Sequence, residues 1–214
     1  VRARTVLLAT GAGPSMYRYH TPSGDKSCDG LAMALRFGLS LRDMEMVQFH
    51  PTGILAGPDT RMTGTILEEG LRGAGGYLLN GAGERFMTRY DPAAERATRD
   101  IVSRSMYQEI RDGRATQQGG LFIEMVHLGG DRVRQMFPGM VKRCEDCGFD
   151  LATGRVEVVP TAHYMMGGIR ADEHGAAVGG EGDGSTNSGL AGLFTAGQAM
   201  GGVFGANRLG STSL

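Results

Sequence analysis

The chain has 214 residues, with 22 Lys and Arg against 23 Asp and Glu and a formal net charge of −1, so it lacks the basic excess that binding a phosphate backbone demands. Hydrophobic residues make up 41% and charged residues 21%, which is enough apolar side chain for a packed core and argues against wholesale disorder. No apolar run approaches the ~20 residues of a membrane span, and a secretory signal is excluded on the same ground.

Residues 4–9 form an apolar run of strand length that breaks at Thr10-Gly11-Ala12-Gly13-Pro14. Such a run predicts a buried parallel strand, and a glycine turn at its carboxyl end is where open α/β sheets bind ligands. Asp29 to Gly38 reads as a helix with Leu31, Ala34 and Leu35 on one face. Met44 to Phe49 reads as a strand that delivers His50-Pro51-Thr52-Gly53 at its end. From about Gly57 the charge rises and the apolar runs shorten. A short helix is predicted over 65–72, a strand over 77–80, and the strongest helix over 96–110, with Ile101, Val102, Met106 and Ile110 on one stripe. A short strand at 121–123 precedes helical pieces near 132–137 and 140–147. Strand character returns at 155–159, and Leu193–Ala196 repeats the opening pattern of apolar run and glycine. The pattern is an α/β domain interrupted by an α+β insertion and then resumed.

Glycine is over-used, at 36 of 214 residues, or about 17% against a usual ~7%. The glycines cluster as Gly11/Gly13, Gly73/Gly75/Gly76, Gly167/Gly168 and Gly201/Gly202/Gly205, which points to backbone pressed against a ligand or to many tight turns. Gly11-Ala12-Gly13 lacks the full G-x-G-x-x-G fingerprint, and by itself it serves equally well as a structural turn. Cys144 and Cys147 form a CxxC pair, but a structural zinc site needs two further ligands and only Cys28 remains, so they are read as ordinary surface-helix thiols and no metal is assigned. Three cysteines make no disulfide framework, which favours a reducing compartment.

His50 and His163, each beside Pro, Thr and Gly, read either as capping or core residues or as groups aimed into a cleft. Glu69 and Arg72 share a helix face at i,i+3, either as a surface ion pair or as part of a site. Arg99 opens a helix at the end where the macrodipole disfavours a cation, which hints at a task for it.

Six motifs then occur in order: Gln48–Gly53, Glu69–Gly73, Glu84–Tyr90, Arg99-Asp100, His163–Gly168 and Gly205–Gly210. Together they closely resemble the flavoprotein subunit of succinate dehydrogenase and fumarate reductase, and the resemblance runs from Val1 to Leu214. It implies α/β, Rossmann-like flavin-binding segments at 1–56 and 159–214, interrupted by an α+β capping domain at 57–158, and the chain is read as an internal fragment of such a subunit. It implies FAD-dependent interconversion of succinate and fumarate by hydride transfer at flavin N5. His50, His163 and Arg208 would hold the dicarboxylate, Arg99 would be the proton donor or acceptor, and Glu69 and Arg72 would relay the proton to solvent. FAD contacts are implied at Ala9, Thr10, Gly11, Asp29, His163, Tyr164, Gln198, Arg208, Leu209, Gly210, Ser211, Thr212, Ser213 and Leu214.

The resemblance also implies an iron-sulfur partner subunit and a cytoplasmic location, peripheral to the membrane through partner subunits, with no nucleic acid and no direct membrane insertion. Three residues depart from the family pattern: Glu68 stands at a substrate-binding position usually held by threonine, Gln198 replaces a glutamate, and Phe204 replaces a histidine. L-Aspartate oxidase is the nearest competing reading, and a non-catalytic capping-domain module without flavin is another.

Overall fold

In chain order, the computed structural model forms β1 (Val6–Leu8), α1 (Asp29–Arg36), β2 (Leu41–Arg42), β3 (Val47–Ile54), α2 (Gly70–Gly73), β4 (Tyr77–Leu79) and α3 (Arg99–Arg111). These are followed by β5 (Leu121–Glu124), α4 (Gly130–Met136), α5 (Pro138–Glu145), β6 (Arg155–Met165), β7 (Gly168–Ile169) and β8 (Leu193–Thr195). The residues described are 2–57, 62–179, 189–205 and 207–208. The chain divides into two units, one of Val1–Arg18, Pro22–Gln48 and Ala162–Leu214 and the other of Tyr19–Thr21 and Phe49–Thr161.

In the first unit β1 pairs in parallel with β8, Val6 opposite Leu193 and Leu8 opposite Thr195, while β2 pairs antiparallel with β7. Leu31 and Ala34 of α1 join Leu39, Ile169 and Ala177 in a small core. Two details differ from the sequence reading. Val6 and Leu7 are exposed rather than buried, because among the described residues β1 has a strand on one side only. Leu35 is exposed as well, since α1 turns Gly30 toward β1's loop. A Cβ on Gly30 would lie 1.7 Å from Thr10 Oγ1, so the buried stripe centres on Gly30, Leu31 and Ala34.

The second unit is built on a four-stranded sheet in the order β3-β6-β5-β4, with Leu121 opposite Val158 and Tyr77 opposite Glu124. Leu78, Phe86, Val102, Met106, Ile123 and Val156 belong to one fully buried core. The helix predicted over 65–72 shrinks to the four residues of α2, because the backbone before it is taken up by β3. Ile54 N–H donates to Thr65 O, Leu67 N–H donates to Thr52 O, and Ile66 bridges Gly53. Strand β3 does not stop before the histidine motif but runs through His50-Pro51-Thr52-Gly53. Pro51 is tolerated there because β3 is the edge of the sheet, where a missing N–H costs no ladder bond. Strand β6 likewise continues to Met165 and carries His163 inside it. Helix α3 starts at Arg99 rather than Arg96: residues Ala94–Arg96 form a 3-10 turn, and Thr98 is extended at the N-cap.

Candidate functional site

In the second unit a carboxylate is clasped by two guanidinium groups. Glu69, at the N-cap of α2, accepts Arg72 Nη2 at 3.1 Å on one oxygen. Its other oxygen accepts Arg99 Nε at 3.1 Å and Arg99 Nη2 at 3.0 Å. Glu69 is half-exposed, while Arg72 is only 1% exposed. Arg72 Nη1 donates to Glu95 O at 2.6 Å and Ala97 O at 3.5 Å, which draws the residues leading into α3 onto the buried arginine. Burial pulls the Arg72 guanidinium below its usual pKa range and the neighbouring Arg99 pulls the same way, against the opposing carboxylates of Glu69 and Glu95. Arg99 is the first residue of α3, and the ion pair with Glu69 offsets its unfavourable place at the helix start.

His50, buried in β3, is oriented by Thr52. The Thr52 N–H lies 3.3 Å from Nδ1, so Nδ1 is the acceptor and a neutral ring carries its proton on Nε2 as a donor. The Thr52 hydroxyl in turn donates to Leu67 O at 2.8 Å. Glu68 is exposed, with its backbone N–H 3.5 Å from Met140 Sδ.

The first unit holds the other predicted residues. His163 is half-buried in β6, and its neighbour Tyr164 is buried. The Arg208 guanidinium lies 3.8 Å from the Tyr164 ring centre, Phe204 meets the same ring edge-on at 6.0 Å, and Arg208 O accepts Gln48 Nε2 at 2.9 Å. Phe204 therefore serves as an apolar wall to Tyr164. Ala9, Thr10 and Gly11 follow β1, Asp29 opens α1, and Gln198 sits in the 3-10 turn Gly197–Ala199 after β8. Leu209, Gly210, Ser211, Thr212, Ser213 and Leu214 lie outside the described residues.

The structure thus brings Glu69, Arg72 and Arg99 together in one unit and Gln48, Tyr164, Phe204 and Arg208 in the other. Cys144 is buried rather than on the surface, and burial pushes its thiol up to about 12. Among the described residues no group of three or more His, Cys, Asp and Glu is gathered to hold a metal, and no helix is long and apolar enough to cross a membrane. Thr52, Arg85 and Glu95 were not singled out by sequence reasoning. Thr52 stood beside a flagged histidine and was open to discovery, whereas Arg85 and Glu95 meet across ten residues with no periodicity to announce it.

The model of a family described as FAD binding domain matches residues 1–214. The flavin-family component of the CoM/CoB fumarate reductase of Methanothermobacter marburgensis is 44% identical over 213 residues, covering 100% of this chain and 37% of that protein. The succinate dehydrogenase flavoprotein subunit of Rickettsia bellii is 44% identical over 218 residues, covering 100% of this chain and 35% of that protein. Among solved structures, the FrdA chain of E. coli quinol fumarate reductase superposes with a TM-score of 0.83 at 35% identity, covering 99% of this chain and 36% of that one. The chain spans about a third of the length of these relatives.

Proposed function

The chain belongs to the FAD binding domain family, and on that premise we propose that it forms the substrate-handling part of a flavoenzyme that interconverts fumarate and succinate. The observation that carries this reading is Glu69 held between Arg72 and Arg99 at 3.0–3.1 Å. A half-exposed carboxylate touching one buried and one partly exposed guanidinium is suited to pass a proton between solvent and a reacting carbon.

The first unit fits the cofactor. Parallel strands β1 and β8 both end in glycine turns, where Gly11 and Gly197 take φ of +76° and +62°. Such turns at the carboxyl ends of parallel strands are where open α/β sheets receive a dinucleotide. A Cβ on Gly13 would lie 1.9 Å from Cys28 Sγ and one on Gly30 would strike Thr10, so these turns and the start of α1 form a cradle that larger residues would fill. Ala9, Thr10, Gly11, Asp29, Tyr164 and Gln198 would hold FAD there, which supplies or takes up the hydride.

The chain's own residues do the rest. His50 donates from Nε2 to a substrate carboxylate, with Thr52 fixing its tautomer, and His163 and Arg208 provide the remaining carboxylate donors. A guanidinium fork and imidazole N–H groups stabilise the charge that grows on the substrate as the hydride arrives. Arg99 gives the proton at the neighbouring carbon. An isolated arginine does not stay deprotonated in proteins, so Glu69 and Arg72 must replenish Arg99 as it donates. The lowered affinity of buried Arg72 for its proton favours that transfer. For succinate oxidation the same groups run in reverse.

The second unit would be the capping domain, with boundaries near residues 57 and 158. The whole protein would pass electrons to or from an iron-sulfur subunit and sit peripherally at a membrane through its partners. The test is the full-length protein itself: flavin absorbance near 450 nm, and fumarate reduction with a reduced dye. A protein with no flavin absorbance or no fumarate turnover would overturn the reading.

A further inference from the structure

We propose that the ion pair between Arg85 and Glu95 is a latch that positions Arg72, and through it Glu69 and Arg99, for proton transfer; this rests on the reading above and names two positioning residues for it. Glu95 is 3% exposed, and its carboxylate takes a two-point fork from Arg85, Nε at 2.9 Å and Nη2 at 2.6 Å. One oxygen also accepts the Leu78 N–H at 3.2 Å, which ties the residue to β4. The same residue's carbonyl is the acceptor, at 2.6 Å, that holds Arg72 Nη1. The carboxylate therefore fixes the position of the carbonyl on which the buried arginine rests. Arg72 Nε is buried with no hydrogen-bond partner among the described residues, so the side chain depends on Nη1 and Nη2 for its placement.

Two observations show that packing alone does not hold this turn. Ala94 takes φ of +48°, a left-handed conformation that a residue with a Cβ adopts only when its surroundings impose it. The turn also borders a cleft of about 350 Å³ lined by Arg72, Arg85, Thr88, Ala94, Glu95 and Arg96, so one of its sides meets open space.

The other end of the latch is anchored as well. Arg85 lies 4.0 Å from the Tyr77 ring centre, Tyr77 stacks on His127 at 3.9 Å, and His127 Nε2 meets Gly75 O at 2.9 Å, three residues beyond Arg72. The chain of contacts closes on itself: Arg72 is held at its side chain by Glu95 O and near its backbone by the strand-borne Tyr77 and His127. Small errors of placement matter because proton transfer and orientation lose about a hundredfold in rate for 1 Å.

The experiment uses the full-length flavoprotein with Glu95→Gln, which keeps the size and loses the charge, and Arg85→Lys, which keeps the charge and loses the fork. Both should lower kcat about tenfold or more while the KM for fumarate stays within about twofold, and the solvent deuterium isotope effect on kcat should rise. Amide hydrogen exchange should quicken at Arg96, Ala97, Gly73 and Ala74 and stay unchanged along α5. The double variant should be little worse than either single one, as expected for two halves of one device. An unchanged kcat and isotope effect would overturn the latch, as would a loss accompanied by faster exchange throughout. Arg99→Lys is run beside them. If it is inactive while Glu95→Gln is fully active, the latch alone fails; if Arg99→Lys keeps its turnover, the proton-transfer reading fails and takes the latch with it.

Discussion

Replacing Glu69 with glutamine separates the carboxylate's charge from its shape. The glutamine side chain is close in size and retains a carbonyl oxygen for the donors that now meet the two carboxylate oxygens, Arg72 Nη2 at 3.1 Å and Arg99 Nε at 3.1 Å. It cannot take up and release a proton. Removing one partner of a fully buried ion pair costs roughly 3–5 kcal/mol, whereas an exposed pair is worth about 0–1 kcal/mol. Here Arg72 is buried, Glu69 is half in solvent, and Arg72 keeps two carbonyl acceptors, so the stability loss should be about 1–2 kcal/mol. The rate loss should be larger. A positioned general acid or base is worth about 10²–10⁴-fold, or roughly 3–5 kcal/mol of barrier. Urea denaturation of the full-length protein measures the first quantity, and dye-linked fumarate reduction the second, with fumarate affinity read from flavin spectral changes. A kcat within about threefold of the parent, at unchanged affinity, would refute the reasoning, because hydrogen bonding without proton exchange would then suffice.

Glu109 is buried, and although burial pushes its carboxyl up, hydrogen bonds from Arg114, Tyr90 and Asn80 and the charge of Arg89 hold it at about 2 against an ordinary 4.5. Its folded pKa lies below its unfolded one, so the stability it contributes is present above about pH 4.5 and is lost as pH falls toward 2; urea midpoints across that range should drop, and Glu109→Gln should flatten the drop. Gly53→Ala places a Cβ 1.9 Å from Thr161 Oγ1 and 2.8 Å from Thr161 Cβ, where β3 meets β6, and should cost about 1–3 kcal/mol in the same denaturation assay. Cys144, with its thiol pushed up to about 12, should resist alkylation at pH 8 until the protein is unfolded, as mass spectrometry of the labelled chain would report.

Long apolar stripes were legible in the sequence because one face of an element determines them: Val102 and Met106 are buried in α3 as their spacing requires. The strand–glycine pattern at both ends also carried through, since β1 and β8 pair in parallel. What the sequence obscured is tertiary. The segment before α2 has helical spacing but serves β3 as a backbone partner, and β3 passes straight through Pro51 because it is an edge strand. Leu35 is apolar yet exposed because the close approach of Gly30 to Thr10 rotates α1's buried face. In the site, Glu69 and Arg72 lie three residues apart and could be paired by eye, and Arg99 was suspect as a cation at a helix start. Glu95 gave no such signal. Its importance comes from the fork with Arg85 and from the carbonyl it offers to Arg72, neither of which any spacing rule encodes.

The central claim, that Arg99 delivers the proton, is tested most directly by Arg99→Lys in the full-length protein, comparing fumarate turnover with fumarate binding. A lysine keeps the positive charge but not the forked contact through which Arg99 Nε and Nη2 both reach Glu69. The account predicts turnover lower by about 10³-fold or more, some 4 kcal/mol of barrier, with fumarate affinity and flavin content unchanged. Turnover within tenfold of the parent at full flavin occupancy would contradict it.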